Sequence, residues 1–434
     1  MRKIRIIAIV STLLVVAAMS SCQKEDNMAF EKSATERLND MIEDVKSILV
    51  AEENGWVMKC YVGSNASSGG FVYTVKFNSS DAEVGFEYAS NFNGMEQDAT
   101  LTSLYKVTDD NGPVLSFDTY NSFIHYFSTP SSAYYQALGG DFEFEIVDIS
   151  PEKIEMIGRR SRNIVTLEPL EMTGSEYING VVEMAGSFNP YYVNGKIGTE
   201  DVKGTVSYDT RHIRISTESG SQNIPFCFVP DGISLYYPID MGGVQIQELK
   251  YDIQTMKLSA ESVDLQGAVP EGWLPYDTYA GDYTLKYAGS FTADITLTPA
   301  VTNSTYVLSG LNKKYTLELK YNMQTGKLML YSQLIGAVGD YSVYFSAWAL
   351  DCGGSITWAP SSGMMLEKNT EAEGTVYDFV PNGYVWRNAS GTKCTPDSFI
   401  LIASNSVEAY YYDDPAWGTN GYPQWPYIES ITKK

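Results

Sequence analysis

Hydrophobic and polar positions divide the chain into stretches of different period. Ile6 to Met19 is an unbroken run of apolar or small side chains, preceded by the basic Arg2, Lys3 and Arg5. The run is too short to span a bilayer comfortably and has the make-up of a signal-peptide core. A helical period follows. Ser33 with Glu36 forms a capping-box pattern, and Ala34, Leu38, Met41, Ile42, Val45, Ile48 and Leu49 then recur on one face with charges opposite. Asn54-Gly55 supplies the stop, because glycine accepts the left-handed conformation at a helix end. An apolar stripe in a chain otherwise patterned for strands predicts a helix lying on a sheet.

From Trp56 the period drops to two. Phe71, Tyr73, Val75 and Phe77 share one strand face, Val84, Phe86 and Tyr88 another, and Phe142, Phe144 and Ile146 alternate with Asp141, Glu143 and Glu145. Gly204–Tyr208, Ile213–Ile215 and Ile233–Tyr237 read as further strands. Gly267, Pro270, Gly272 and Pro275 crowd together and mark a boundary near Gln266–Pro275. Beyond it the strands Tyr279–Leu285, Phe291–Thr298, Thr305–Leu308, Tyr315–Tyr321 and Lys327–Tyr331 form a meander, the spacing expected of an antiparallel barrel or sandwich. Two hairpins echo each other, Tyr251–Leu258 and Tyr321–Leu328; a common turn accounts for the echo as well as a repeat would. The predicted fold is therefore mainly β, α+β in its N-terminal part. One amphipathic helix packs on antiparallel sheet, and a C-terminal antiparallel β barrel or sandwich follows. The expected divisions are a leader over 1–21, a polar tether over 22–30, an α+β domain over 31–268 and a β domain over 276–434.

Composition agrees with strands and tight turns: 32 Tyr, 17 Phe and 7 Trp accompany 36 Gly. A net charge of -23 leaves no basic patch to replace counterions around phosphate, which argues against a nucleic-acid partner. It equally opposes lying flat on anionic lipid. The leader ends in Met19-Ser20-Ser21-Cys22, which resembles a bacterial lipobox, whose cysteine is acylated and becomes the new N-terminus. A plain cleaved leader with an incidental cysteine is the alternative. Gln23-Lys24-Glu25-Asp26-Asn27 resembles the short acidic signal that sends lipoproteins of the Bacteroidota to the outer face of the outer membrane; a solvated tether would look similar. Lipidation of Cys22 leaves Cys60, Cys227, Cys352 and Cys394. These allow three pairings, of which Cys352 with Cys394, in one C-terminal segment, is the favoured one; buried free thiols are an equally good alternative.

Catalytic signatures are sparse. His125 and His212 are the two histidines, and neither lies in a His-Glu-x-x-His motif. No Gly-x-Ser-x-Gly turn or phosphate-binding loop occurs. His125, beside Asp118 and Asn121, reads as a hydrogen-bonded structural residue before it reads as a base. The row Asp141, Glu143, Glu145 could bind Ca²⁺ or perform acid/base chemistry, but in so acidic a chain such a row is first the wet face of an edge strand. The most suggestive constellation is Tyr410 to Tyr427. There Trp417, Tyr422 and Trp425 could stack on sugar rings while Asp413, Asp414 and Asn420 bind hydroxyls. The competing reading is an aromatic latch that buries these rings on the barrel, with Trp348, Trp358, Tyr384 and Trp386 in the same core.

The stretch Val114–Pro130, followed by Gly139-Gly140-Asp141-Phe142-Glu143-Phe144 and taken with Asn54-Gly55-Trp56, resembles the Bacteroidota lipoprotein family catalogued as domain of unknown function 4302. Phe226 through Pro238 and Gly242-Gly243 look like a later part of it, so the resemblance covers roughly residues 30 to 265. The C-terminal part is similar to the lipocalin-type β domains of related surface lipoproteins. The resemblance implies an accessory role beside outer-membrane uptake systems that pair a surface lipoprotein with a TonB-dependent porin, and it brings no catalytic residue. The expectation is a lipid-anchored, outward-facing, non-enzymatic protein of the outer membrane, without a cofactor, that binds a glycan, a peptide or a porin partner. A carboxylate-based hydrolase, using the Asp141 row or Asp413-Asp414, and a structural or adhesive lipoprotein are the alternatives.

Overall fold

The computed structural model describes residues 34–92, 94–110, 112–131, 135–218, 220–417 and 424–434. Cys22, the leader and the tether lie outside the described residues, as do Asn420 and Tyr422. No helix among the described residues is long and apolar enough to cross a membrane.

The predicted helix forms over Ala34–Ala51 (α1). It buries Val45 and Leu49 in the core of a nine-stranded antiparallel sheet. Its end is fixed from the sheet: Trp56, wholly buried, donates its indole N–H to the Leu49 carbonyl at 2.9 Å, satisfying one of the acceptors that a helix terminus leaves open. Gly55 makes the turn at φ +81°, where a Cβ would stand 2.7 Å from the Val75 carbonyl oxygen. The edge strands of this sheet, Thr100–Leu104 and Lys106–Asp109, are consecutive in the chain, so the sheet curls almost back upon itself.

A second helix, Gly174–Ser187 (α2), carries a full capping box: Thr173 Oγ1 accepts from the Glu176 amide, and the Glu176 carboxylate accepts from the Thr173 amide. Ile178, Val181, Met184 and Ala185 form its buried stripe. Eight consecutive antiparallel strands then close into a barrel, Tyr192–Ile197 pairing with Val263–Ala268. Its core of Ile213, Ile215, Ile224, Phe226 and Ile233 runs on into Val57, Tyr61 and Val72 of the curled sheet. Within the segment expected as one α+β domain, the curled sheet and the barrel share a core. They are also clasped by a buried ion pair. Arg211, on the barrel, donates to both Glu87 oxygens at 2.9 and 2.8 Å and to the Gly70 carbonyl at 2.7 Å, its guanidinium 4.2 Å from the Phe71 ring centroid.

Beyond the glycine- and proline-rich joint, eight strands from Gly281–Tyr287 to Ile428–Lys433 form a second closed barrel, the barrel alternative of the predicted fold. Its interior is filled with side chains, many of them tyrosines. Two excursions, residues 332–362 and the described parts of 382–427 (382–417 and 424–427), leave it and build a six-stranded sheet beside it. A Cys352–Cys394 disulfide, with Cα atoms 5.7 Å apart, ties one excursion to the other. Gln324, also buried, locks the barrels together: its oxygen accepts from the Tyr208 amide at 2.7 Å, and its nitrogen donates to the Pro190 and Val206 carbonyls, each at 2.8 Å. The echoing hairpins share a turn. Asp252 and Asn322 each accept backbone amides, and Met256 and Gly326 both take positive φ; the two turns hold different ranks in their barrels.

Candidate functional site

The strand Trp56–Tyr61 is buried on both sides, because one face looks into the curled sheet and the other onto the first barrel. Alternation therefore sends Trp56, Met58 and Cys60 into the sheet core and Val57, Lys59 and Tyr61 toward the barrel. Lys59, with a side chain 7% exposed, is consequently charged inside an interface. Its ammonium uses three partners: Glu168 Oε2 at 2.8 Å, Glu248 Oε1 at 3.3 Å and Ser234 Oγ at 3.3 Å. Burial opposes the charge, but neighbouring Cys227 and the carboxylates of Glu168 and Glu248 outweigh that opposition, so Lys59 is held above the ordinary lysine range.

Beside this triad the barrel breaks register. Ser234 pairs with Glu248 and Ile239 with Ile246, leaving Leu235 to Pro238 as a bulge opposite Gln247. Bulges re-aim side chains, and here Tyr236 and Tyr237 line the space in front of Lys59. Tyr236 packs on Tyr61 at 4.5 Å between centroids and accepts the Ile164 amide at 2.9 Å; Tyr237, 43% exposed, donates to the Asn223 carbonyl. The result is a cleft of about 310 Å³ between sheet and barrel, walled by tyrosine and floored by a lysine between two carboxylates. Both carboxylates touch one ammonium, so their bound oxygens lie within roughly 6 Å of each other.

The residues singled out in the sequence go elsewhere. Trp425 is fully buried against Phe345, with centroids 5.1 Å apart, and Trp417 is 8% exposed, stacked on Tyr315 at 6.0 Å. Neither indole offers an open face for a sugar. The structure does not gather these rings into an exposed platform with the carboxylates: Asp413 is exposed, while Asp414 accepts from the Ala416 amide at 2.9 Å and the Tyr412 hydroxyl at 3.1 Å. Trp358, by contrast, is 56% exposed rather than part of that core. The Asp141 row is likewise committed. Asp141 accepts from the Arg160 and Ser161 amides, and Glu145 from Arg162 at 3.0 Å. His125 stacks on Phe142 at 4.8 Å, its Nδ1 2.9 Å from the Asn121 carbonyl oxygen. Cys60 and Cys227 are buried free thiols, both pushed upward by burial, Cys227 to about 11. Among the described residues no group of three or more His, Cys, Asp or Glu is placed to hold a metal ion.

Residues 26–253, more than half of the chain, match the family described as Domain of unknown function (DUF4302). The chain belongs to this family. Lys59, Glu168, Tyr236 and Glu248 all fall within its DUF4302 region, so the cleft is built wholly from that part. Residues 257–402 match a second family, described as Domain of unknown function (DUF4987). The join between the two matches falls in the Asp252–Lys257 turn of the first barrel, whose last two strands belong to the second match. No curated protein and no solved structure shows significant similarity to the chain.

Proposed function

We propose that this DUF4302 protein is a lipid-anchored binding protein of the bacterial outer membrane, held outward by Cys22, that captures a glycan in the cleft before Lys59. The bulge that turns Tyr236 and Tyr237 into a cleft beside Glu168, Lys59 and Glu248 carries the reading. Phenol rings pack on the apolar C–H faces of sugars, and fixed carboxylates and an ammonium bind hydroxyls; a site held rigid by its own hydrogen bonds loses little entropy on binding. The lipobox and acidic tether support the address. The implied partners are a TonB-dependent porin and its surface lipoprotein, with a peptide as the other candidate ligand.

A hydrolase is the second reading, favoured by the short distance between Glu168 and Glu248. Both carboxyl groups are engaged in holding the Lys59 ammonium, at 2.8 and 3.3 Å, rather than facing each other across open space as a cleaving pair must. Binding is therefore the better use of this arrangement. A glycan array followed by calorimetry on the purified protein tests the proposal. Saturable binding without release of reducing ends is expected. Release of reducing ends would establish the hydrolase, and failure to bind any glycan, peptide or porin component would leave a structural or adhesive role. Incorporation of labelled palmitate, lost in Cys22→Ala, tests the anchor.

A further inference from the structure

The six-stranded sheet built by the two excursions of the second barrel has an inner and an outer face. Val343, Phe345, Ala347, Phe399, Leu401 and Ala403 face the barrel core. The intervening residues therefore face away, and their register places them in rows. One row crosses four strands: Leu334 pairs with Tyr344, Tyr344 with Ile402, and Ile402 with Tyr411. With strands about 4.8 Å apart, this row is roughly 14 Å long. Leu334 is 59% and Tyr411 53% exposed at the ends of the row, while Ile402 between them is buried with Trp348 and Ile400. Trp358 stands edge-on to Tyr344 at 6.0 Å. The next row on the same face is small: Ala337 pairs with Ser342, Ser342 with Ser404, and Ser404 with Ala409. A tall aromatic wall thus stands over a shallow floor that carries two hydroxyls.

Neither row contains a charged side chain, although the protein carries 30 basic and 53 acidic residues. Exposed apolar patches of this kind mark binding surfaces. An uncharged surface on so acidic a protein suits an uncharged ligand. Flat rings beside hydroxyls suit one whose own surface alternates C–H faces with hydroxyls. The disulfide that joins the excursions holds the face in shape before the ligand arrives. We infer that this face is a second binding site, for a neutral polysaccharide chain, laid along the wall of Tyr344, Trp358 and Tyr411 with its hydroxyls over Ser342 and Ser404. The inference rests on the glycan reading above but uses a different site, in a different body of the protein.

Affinity electrophoresis of the purified full-length protein in gels containing amylopectin, galactomannan or xyloglucan, with polygalacturonate as the charged control, separates the two sites. Retardation is expected in at least one neutral gel. It should weaken at least about tenfold when Trp358→Ala and Tyr411→Ala are combined. It should survive Trp358→Phe with Tyr411→Phe, which keep the ring faces, and survive Tyr237→Ala, which alters the cleft. Ser342→Glu, which puts charge on the floor, should abolish it without removing an aromatic. Absence of retardation in every neutral gel, retardation only by polygalacturonate, or retardation unchanged in the double Ala variant would each overturn the site. So would loss in Tyr237→Ala alone, which would put the ligand in the cleft. Sedimentation showing a dimer that the double Ala variant dissolves would assign the face to a second copy of the chain and overturn it as well.

Discussion

The two barrels reach the same closed, eight-stranded end by different means. The first is uninterrupted in sequence, is filled mostly by aliphatic and phenylalanine side chains, and shares its core with the curled N-terminal sheet. The second is broken twice by excursions and is lined by tyrosines. The hydroxyls of Tyr276, Tyr279, Tyr283, Tyr306 and Tyr321 donate to carbonyls of Thr305, Gly326, Tyr279, Tyr276 and Leu274. All five of these bonds begin or end within residues 274–279, so the tyrosines pin the segment that enters the barrel as well as filling it. A barrel that shares its core with a neighbour needs an interface; a barrel with a core of its own that carries a second sheet needs internal ties. The first kind places its cleft between bodies, the second its exposed face on an appendage.

The comparison is broken most forcefully at the clasp. Arg211→Ala leaves Glu87 buried, charged and without its guanidinium, which should cost about 3–5 kcal/mol. Chemical denaturation should then show the DUF4302 region unfolding at lower denaturant, while the second barrel's transition stays in place. Combining it with Glu87→Leu should cost less than the sum of the two singles, because neither partner is left as an unpaired charge. Replacing both Cys352 and Cys394 by Ser should remove roughly 2–4 kcal/mol, given the 42-residue separation. Hydrogen exchange should rise across the appended sheet and stay unchanged in the first barrel. Tyr279→Phe leaves the Gly326 carbonyl without its donor and should cost about 1–3 kcal/mol, confined to the second barrel.

Alkaline pH sharpens the contrast in a graded way. Burial raises Tyr279, Tyr283, Tyr306 and Tyr321 above the ordinary value of 10.0. Their contribution to stability is whole below pH 10 and is lost as pH rises through the raised folded-state values. Each group costs about 1.4 kcal/mol per pH unit across that interval. Tyrosinate absorbance should therefore lag behind free tyrosine above pH 10 and then appear together with loss of near-UV dichroism. Tyr283→Phe should move the second barrel's alkaline midpoint upward.

Much of the fold was legible because it is periodic. Helix α1 followed from its stripe and stop, and the second barrel's strands from their alternation. Helix α2 was missed although Thr173 and Glu176 form a capping box ahead of Ile178, Val181 and Met184; Gly174, Gly180 and Gly186 dilute the pattern. The first barrel's strands could be read singly, but its closure joins Tyr192 to Ala268 and no local pattern reports such a pairing. The cleft was illegible for the same reason. Lys59 meets Glu168 across 109 positions and Glu248 across 189, and isolated carboxylates in an acidic chain look alike until the fold selects two of them. Trp417 and Trp425 drew notice for their chemistry, yet the sequence alone does not say whether an aromatic is displayed or buried.

The cleft is the centre of the functional account, and one titration bears on it most directly. Calorimetry of the intact protein against a glycan identified by array, repeated with Tyr236→Ala and Glu248→Gln, should show binding in the parent and a loss of about tenfold or more in each variant. Equal affinity in all three proteins would contradict it.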